Sequence, residues 1–204
     1  MALPFADICF TPSVKAAQTR YGSREANRRF EMAQMPDPGL TAAEINFISE
    51  RDSFYLATVS ETGWPYVQHR GGPPGFLKVL DTQTLGFADY RGNRQYLSVG
   101  NLQANERVAM ILMDYANRRR LKLWGRARVV EAQDDAALMA RLDSAAYKAR
   151  AERGMLIQLA AWEWNCPQHI TPRYAEAEVQ AVIKPLLEEI QSLKTQLARL
   201  ENKS

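Results

Sequence analysis

Two arginines flank a glycine and an asparagine in the segment Arg91-Gly92-Asn93-Arg94. The segment follows an apolar run typical of a strand and precedes a run typical of a helix, and Gly92 allows a tight turn between them. If the helix begins at Asn93, its free amide hydrogens and a guanidinium point at one spot, an arrangement that binds a phosphate group. A loop with two arginines is also common on a solvated surface, so the motif alone leaves both interpretations open.

Polar residues alternate with other types along the strand predicted at residues 66–70. Because successive side chains of a strand point to opposite faces, Val67 and His69 share one face, and Gln68 and Arg70 share the other. A barrel strand ordinarily keeps one face apolar, whereas both faces carry polar groups here. This strand therefore offers hydrogen-bonding groups to a ligand.

A basic pair, Arg120 and Lys122, lies two residues apart on another predicted strand. Their side chains share one face, while Leu121 and Leu123 fill the opposite face. Together with the two segments above, the pair could converge on one anionic ligand that is rich in hydrogen-bonding groups. Taken alone, the pair is more typical of an exposed strand face.

Cys166 and His169 stand three residues apart, a spacing that occurs in metal sites and in nucleophilic pairs. Only Cys9 and His69 could complete a set of soft ligands, so we expect no metal site. Pro167 constrains the turn and no orienting acid lies nearby in the sequence, which disfavours a nucleophilic Cys-His pair.

The elements that position these groups follow from periodicity and from helix breakers. Residues 12–34 are typical of a surface helix or helix pair interrupted near Gly22, and residues 35–39 are typical of a linker. Thr41 and Glu44 form a capping box, which predicts a helix over about residues 42–51.

Short β-rich runs dominate the middle of the chain and predict a closed or nearly closed β-barrel, because closure removes exposed sheet edges. The first four runs predict an antiparallel meander. The runs lie at residues 53–60, 64–70, 75–80, 84–90, 106–113, 118–131 with a bend at Gly125, and 155–164. Helices are predicted between them over about residues 93–104 and 134–151, the second with Ala145 and Ala146 on its apolar face.

A heptad pattern characterises the end of the chain. Its seam is the set of apolar residues at alternating a and d positions, namely Ile183, Leu186, Ile190, Leu193, Leu197 and Leu200. This two-position seam is narrower than a core-facing stripe, so it favours pairing of the helix with that of a second chain over packing on its own core. Pro185 is expected in the first turn of this helix.

The composition of the chain limits the classes of protein to which it can belong. The 204 residues are 46% hydrophobic and 24% charged, which indicates a globular fold. The chain has no apolar run of about 18 residues and its first ten residues lack the pattern of a secretion signal, so we expect a soluble cytoplasmic protein with no membrane partner. Two cysteines suit a reducing compartment, and a net charge of +3 is too small to indicate nucleic-acid binding.

Taken together, the segments SFYLATVSETGWPYVQHRGGPPGFLKVLD, LGFADYRGNRQYLSVGNLQANERVAMILMD and RLKLWGRARVVE resemble the pyridoxamine 5'-phosphate oxidase-like family of flavin-binding split barrels. The segment WNCPQHITPR resembles the C-terminal motif of one branch of that family. The resemblance implies a mainly β fold, a six-stranded antiparallel Greek-key split β-barrel with flanking helices. It also implies a homodimer that binds FMN between its subunits.

Carried over by position, the resemblance implies a set of cofactor-binding residues. Residues 68–70 on one strand would line the flavin and its ribityl chain, and residues 93–95, in the loop after another strand, would bind its phosphate. The later residues would approach the cofactor, from the same chain or from the partner chain, or close the site near the ring. The set is Gln68, His69, Arg70, Asp89, Asn93, Arg94, Gln95, Arg120, Lys122, Trp164, Asn165 and Gln168. The expected domains are a helical extension at 1–40, the barrel at 41–175 and the heptad helix at 176–204.

The resemblance implies an oxidoreductase that transfers hydride or electrons through FMN. Because the chain has no G-x-G-x-x-G fingerprint, a donor such as NADH or NADPH would bind transiently. The vitamin-processing oxidases end in an Arg-Leu-Ala-Pro-like segment that contacts pyridoxal phosphate, and WNCPQHITPR stands here instead. Two alternatives stay open: a genuine pyridoxamine or pyridoxine 5'-phosphate oxidase, and a non-enzymatic protein that binds flavin or haem.

Overall fold

The computed structural model describes residues 4–33, 39–144 and 147–201. They form two compact units. The first holds the chain up to Asp114 together with Arg119–Pro167, and the second holds Tyr115–Arg118 and the chain from Gln168 onward. The linker predicted at residues 35–39 lies outside the described residues except for Gly39.

The first unit is built on one antiparallel sheet of seven strands in the order β2-β1-β5-β6-β7-β4-β3. The hairpins β1-β2 and β3-β4 lie at opposite ends of this order, so the predicted continuous meander is wrong: the chain crosses from one edge strand, β2, to the other, β3. The resemblance implied six strands, one fewer than the described residues form. The strands are β1 (Ser53–Val59), β2 (Pro65–Gly71), β3 (Lys78–Asp81), β4 (Thr84–Tyr90), β5 (Arg107–Asp114), β6 (Arg119–Glu131) and β7 (Ala151–Trp164).

The sheet curls around one main apolar core, with two smaller apolar clusters beside it, which makes it the expected mainly β split barrel. Fully buried side chains from five different strands meet in that core. They are Leu56, Leu85, Leu112, Leu121 and Ile157. Burying side chains of this size contributes about 1.5 to 3 kcal/mol each, so enclosing this core favours the curled form of the sheet.

Helices flank the sheet. The predicted helix pair with a break near Gly22 is confirmed, and Gly22 has a φ of 73°, which a glycine adopts without strain. The helices are α1 (Pro4–Cys9), α2 (Pro12–Arg20), α3 (Arg24–Met32), α4 (Ala42–Ser49), α5 (Leu97–Ala104), α6 (Ala136–Leu142) and α7 (Glu176–Glu201).

The capping box at the start of α4 is confirmed. The Thr41 amide donates to Glu44 Oε2 at 2.9 Å, and the Thr41 hydroxyl accepts from the Ala43 amide at 3.3 Å. These bonds satisfy donors that the first turn of a helix leaves without partners.

The predicted bend at Gly125 is also confirmed, because the β6–β7 register shifts between Trp124 and Gly125. A Cβ atom at Gly125 would stand 2.5 Å from the carbonyl oxygen of Gln158, so the close approach of the two strands requires glycine there.

The helix predicted over 134–151 is wrong in its length, because α6 ends at Leu142 and β7 begins at Ala151. Ala145 and Ala146 lie outside the described residues. Leu142 packs where Gly86 and Gly154 leave room, with its methyl carbons 2.7 and 2.9 Å from where their Cβ atoms would be. Pairing of β7 with β4 and β6 outweighs the local helical periodicity. The strand predicted from Gly75 likewise begins only at Lys78.

The second unit contains the long helix α7, which begins at Glu176. The prediction that Pro185 lies in its first turn is wrong, because Pro185 lies inside the helix. The Glu178 carboxylate accepts from the Ala175 amide at 2.7 Å and thereby caps an earlier start. Pro185 cannot donate to the preceding turn, so one intrahelical hydrogen bond is missing there.

Candidate functional site

A cleft lies where the two ends of the curled sheet approach each other. Arg70 on the edge strand β2 donates from Nη1 to Asp89 Oδ1 on β4 at 2.5 Å. Asp89 is only 5% exposed. Strands β2 and β4 are not neighbours in the sheet, so this ion pair connects its two ends through side chains.

Arg153 on β7 binds the same carboxylate from the other side. It stands opposite Asp89 in the β4–β7 register and donates from Nη1 to Asp89 Oδ2 at 3.1 Å. It also donates to Glu152 at 3.2 Å, and its guanidinium lies 4.9 Å from the centre of the Tyr96 ring. Burial disfavours the charged guanidinium, but the hydrogen bonds to Asp89 and Tyr96 outweigh it and raise the pKa of Arg153.

The loop after β4 differs from the prediction. Asn93 Oδ1 accepts from the Gln95 amide at 3.1 Å, and Arg94 and Tyr96 have positive φ angles of 64° and 54°. Because left-handed residues cannot continue an α-helix, α5 begins at Leu97 and the predicted helix start at Asn93 is wrong. The loop is an Asx turn that leads into α5.

The first turn of α5 nevertheless faces the cleft. Leu97, Ser98 and Val99 line it, and the amides of a first helical turn have no acceptor within the helix. The hydroxyl of the buried Ser98 donates to Gln68 Oε1 at 3.1 Å. A hydrogen bond that the Arg94 guanidinium donates to the Tyr96 oxygen raises the pKa of Arg94 further above its already high value, which keeps Arg94 charged.

The cleft has a volume of about 220 Å³ and carries an excess of positive charge. Three guanidinium groups face two carboxylates, those of Asp89 and Glu152. The buried Nε of Arg70 has no hydrogen-bond partner among the described residues. Donors thus outnumber acceptors, which is the chemistry of an anion site. Five of the twelve predicted residues line the cleft: Gln68, Arg70, Asp89, Asn93 and Arg94.

Other predicted residues lie on the outer face of the sheet. His69 packs edge-on against Tyr55, with ring centres 5.6 Å apart. Register pairs continue this row across the sheet from Tyr55 to Ile111 and from Ile111 to Lys122. Lys122 forms an ion pair of 2.5 Å with Glu163. Arg120 lies on the same face of β6 as Lys122, opposite Leu121 and Leu123 as predicted.

The remaining predicted residues are not among those that line the cleft. Trp164 donates from Nε1 to Glu44 Oε1 at 2.6 Å, and its ring packs on Phe47 at 4.8 Å between centres. The Asn165 amide donates to the Arg120 carbonyl at 3.1 Å. Gln95 is exposed beside a neighbouring depression, and Gln168 is exposed in the second unit.

Sequence reasoning missed Arg153 and Ser98. Arg153 lies where the sequence predicts no strand, and only the long-range β4–β7 pairing places it opposite Asp89. Ser98 carries a local signal, since it is a polar residue on the first turn of a helix that follows a Gly-Asn loop.

The described residues contain no group of three or more His, Cys, Asp or Glu side chains that could hold a metal ion. Within the same ranges, no helix is long and apolar enough to span a bilayer.

Comparison with protein families decides the assignment. The family model described as pyridoxamine 5'-phosphate oxidase matches residues 40–171, which is well over half of the chain. The chain belongs to the pyridoxamine 5'-phosphate oxidase family. The matched region contains every strand of the barrel and every cleft residue described above.

Among solved structures, the family member is similar to HupZ of Group A Streptococcus, with 14% identity and a TM-score of 0.46, covering 66% of this chain and 99% of that one. A Clostridium acetobutylicum protein related to general stress protein 26 has 13% identity and a TM-score of 0.47 over 63% and 88% of the two chains. An FMN-binding protein of Syntrophomonas wolfei has 14% identity and a TM-score of 0.44, and the match covers 76% of this chain and 95% of that one. A search of curated proteins finds no match.

Proposed function

We propose that this member of the pyridoxamine 5'-phosphate oxidase family binds FMN, with the phosphate in the cleft between β2, β4 and the start of α5, and acts as a flavin-dependent oxidoreductase. The observation that carries the proposal is the position of Arg70, Arg94 and Arg153 around one small cleft at a helix start. Membership of the family supports it independently.

The donor set fits a phosphate. Arg70 and Arg153 are held in place by Asp89, so they lose little freedom when an anion binds. Arg94 has a charged guanidinium at the exposed rim and can close over the ligand. The first amides of α5 add hydrogen bonds and the positive end of the helix dipole.

The size of the cleft supports a dimer. Pockets for whole cofactors occupy about 300 to 1,000 Å³, whereas this cleft holds about 220 Å³. The phosphate and ribityl chain of FMN would therefore occupy the cleft, and the ring system would extend beyond it. A second copy of the chain would cover that ring.

The outer face of the sheet is the surface that supports such pairing. It exposes Tyr55, Val67 and Ile111 to 40%, 60% and 40%, on neighbouring strands. Exposed apolar side chains grouped on one sheet face are typical of an interface. Pairing through this face would bring Arg120 and Lys122 toward the partner, as the resemblance implies.

FMN, when bound, accepts a hydride or two electrons from a donor and passes them on. The residues of this chain would bind and orient it: the arginines fix the phosphate, and Gln68, held by Ser98, offers its amide to the polar chain or ring edge. A small-molecule donor such as NADH or NADPH would bind transiently, because no dinucleotide fingerprint is present.

The decisive experiment releases the ligand from purified protein and identifies it by mass, beside an absorbance spectrum of the intact protein. The expected result is one FMN per chain and a flavin absorbance band at about 450 nm. A Soret band with released haem would instead support the haem-binding alternative, and riboflavin without phosphate would overturn the assignment of the cleft. Reduction of the bound flavin by NADH or NADPH would then distinguish an enzyme from a flavin carrier.

A further inference from the structure

The helix α7 carries an apolar seam over most of its length. It is 26 residues long, which corresponds to about 39 Å. None of its residues is buried. The seam residues Ile183, Leu186, Ile190, Leu193, Leu197 and Leu200 are 39% to 65% exposed. An exposed apolar stripe of this length on a helix requires a partner surface.

We propose that α7 pairs with α7 of a second copy of this chain as a parallel, in-register, two-stranded coiled coil. The composition of the seam favours this state. Ile183 and Ile190 are β-branched residues at a positions, and Leu186 and Leu193 are leucines at d positions. Ile at a with Leu at d favours two parallel strands over three or four.

The flanking positions fit the same register. In a parallel pair, a g residue faces the e residue five positions later on the partner helix. Glu189 at g thus faces Lys194 of the second copy, which gives two ion pairs related by symmetry. Val182 at g faces Leu187 at e in the same way, and both are exposed apolar residues at 65% and 58%.

The third flanking pair joins Gln196 at g with Glu201 at e, an amide facing a carboxylate. Every g–e′ pair within α7 is therefore complementary: apolar with apolar, acid with base, donor with acceptor. Pro185 falls at a c position, on the outer side of the pair, so its ring does not occupy the seam. The pairing depends neither on the flavin nor on the outer face of the sheet.

Single cysteines test the pairing on the full chain in a background in which Cys9 and Cys166 are serine. Leu186→Cys and Leu193→Cys are both at d positions. Under mild oxidation, each cysteine should form a disulfide with the same cysteine of a second copy. In an antiparallel pair, at most one of these two positions can face the same position on the second copy. Disulfides between identical positions at both sites therefore establish the parallel register. Thr195→Cys, at an outer f position of the same helix, is the matched control and should not link.

A disulfide that forms only when chains carrying Ile190→Cys, at a, are mixed with chains carrying Leu186→Cys or Leu193→Cys, at d, would show an antiparallel pair, in which a faces d, and would overturn the proposal. No disulfide at either seam position would also overturn it, because exposed cysteines on a folded helix can link when the helices meet.

Charge reversal tests the register independently. In the Leu193→Cys background, Glu189→Lys places like charges opposite each other and should lower the rate of cross-linking by roughly three- to tenfold. The double variant Glu189→Lys/Lys194→Glu restores opposite charges in the same positions and should restore the rate. Equal rates for the single and double variants would contradict the predicted g–e′ contacts.

Discussion

Arg70 and Asp89 form an ion pair of 2.5 Å between strands that are far apart in the order of the sheet. Arg153 binds the second oxygen of the same carboxylate at 3.1 Å. One nearly buried acid therefore fixes two arginines at the cleft and joins the two ends of the split barrel. The same contact serves the fold and the proposed phosphate site.

Replacing Asp89 with asparagine should destabilise the protein strongly. Removing one partner of a buried ion pair leaves uncompensated charge, which costs about 3 to 5 kcal/mol, and here two guanidinium groups lose their carboxylate. We expect the free energy of unfolding to fall by about 3 kcal/mol, measured by urea denaturation of the ligand-free protein.

The exposed ion pair between Arg126 and Glu106 provides the control, since both side chains are 56% exposed. Glu106→Gln should cost no more than about 1 kcal/mol. If both variants lose the same small amount, Asp89 does not hold the two ends of the sheet together.

Replacing Arg94 with alanine should weaken FMN binding and spare riboflavin. A hydrogen bond from a guanidinium to a phosphate is worth about 1.5 to 3 kcal/mol, so the dissociation constant for FMN should rise by roughly 10- to 150-fold. Riboflavin lacks the phosphate, and its affinity should hardly change. Fluorescence titration of the ligand-free protein measures both constants.

Arg128 is an exposed arginine on β6 outside the cleft, so Arg128→Ala controls for the general loss of a positive charge. We expect it to leave the FMN constant within about twofold, a difference of less than 0.5 kcal/mol. Equal losses of FMN and riboflavin affinity in Arg94→Ala would mean that Arg94 has a structural role.

The sequence predicts the elements of this protein better than their connections. β-rich runs between turn residues locate most strands, and the capping box at Thr41 locates α4, because both signals are local. The order of strands, and with it the meeting of Arg70 with Asp89, depends on contacts between residues far apart in the chain. Arg153 could not be predicted as a site residue for the same reason, because its neighbours in sequence do not indicate its partner on β4.

Gly125→Ala should destabilise the barrel. The added methyl group would stand 2.5 Å from the Gln158 carbonyl oxygen and 2.9 Å from Ile157 Cγ2, and the backbone atom cannot move away cheaply. Overpacking of this kind costs about 1 to 3 kcal/mol. Thermal or urea unfolding measures the loss.

Gly100→Ala is the matched substitution, because a Cβ atom there meets nothing within 4 Å and the residue lies inside α5. It should leave stability unchanged or raise it by up to about 1 kcal/mol, since alanine favours a helix. A Gly125→Ala protein as stable as Gly100→Ala would show that the bend in β6 tolerates a side chain.

Cys9 should react with thiol reagents only at higher pH than an ordinary cysteine. Burial raises the pKa of the Cys9 thiol, and the nearby Glu163 carboxylate adds to this, while Lys122 opposes it. The thiolate is the reactive form, so a raised pKa leaves less of it at any given pH. In Cys166→Ser protein, the alkylation rate of Cys9 should rise at a higher pH in folded protein than in urea. Coinciding profiles would contradict the partial burial of Cys9 at the end of α1.

The last prediction concerns substrate. The resemblance implies that WNCPQHITPR stands where the vitamin-processing oxidases have the segment that contacts pyridoxal phosphate, and its Arg173 lies 5.2 Å from the centre of the Tyr115 ring. A flavin oxidase must hold the donor carbon about 3 to 3.5 Å from the ring, which requires charged groups to fix the substrate phosphate. We therefore expect FMN-loaded protein to oxidise pyridoxamine or pyridoxine 5'-phosphate slowly or not at all, while still binding FMN through the upstream cleft. Formation of pyridoxal phosphate in air measures this activity, and turnover on the order of one per second, an ordinary enzymatic rate, would establish the chain as a genuine oxidase.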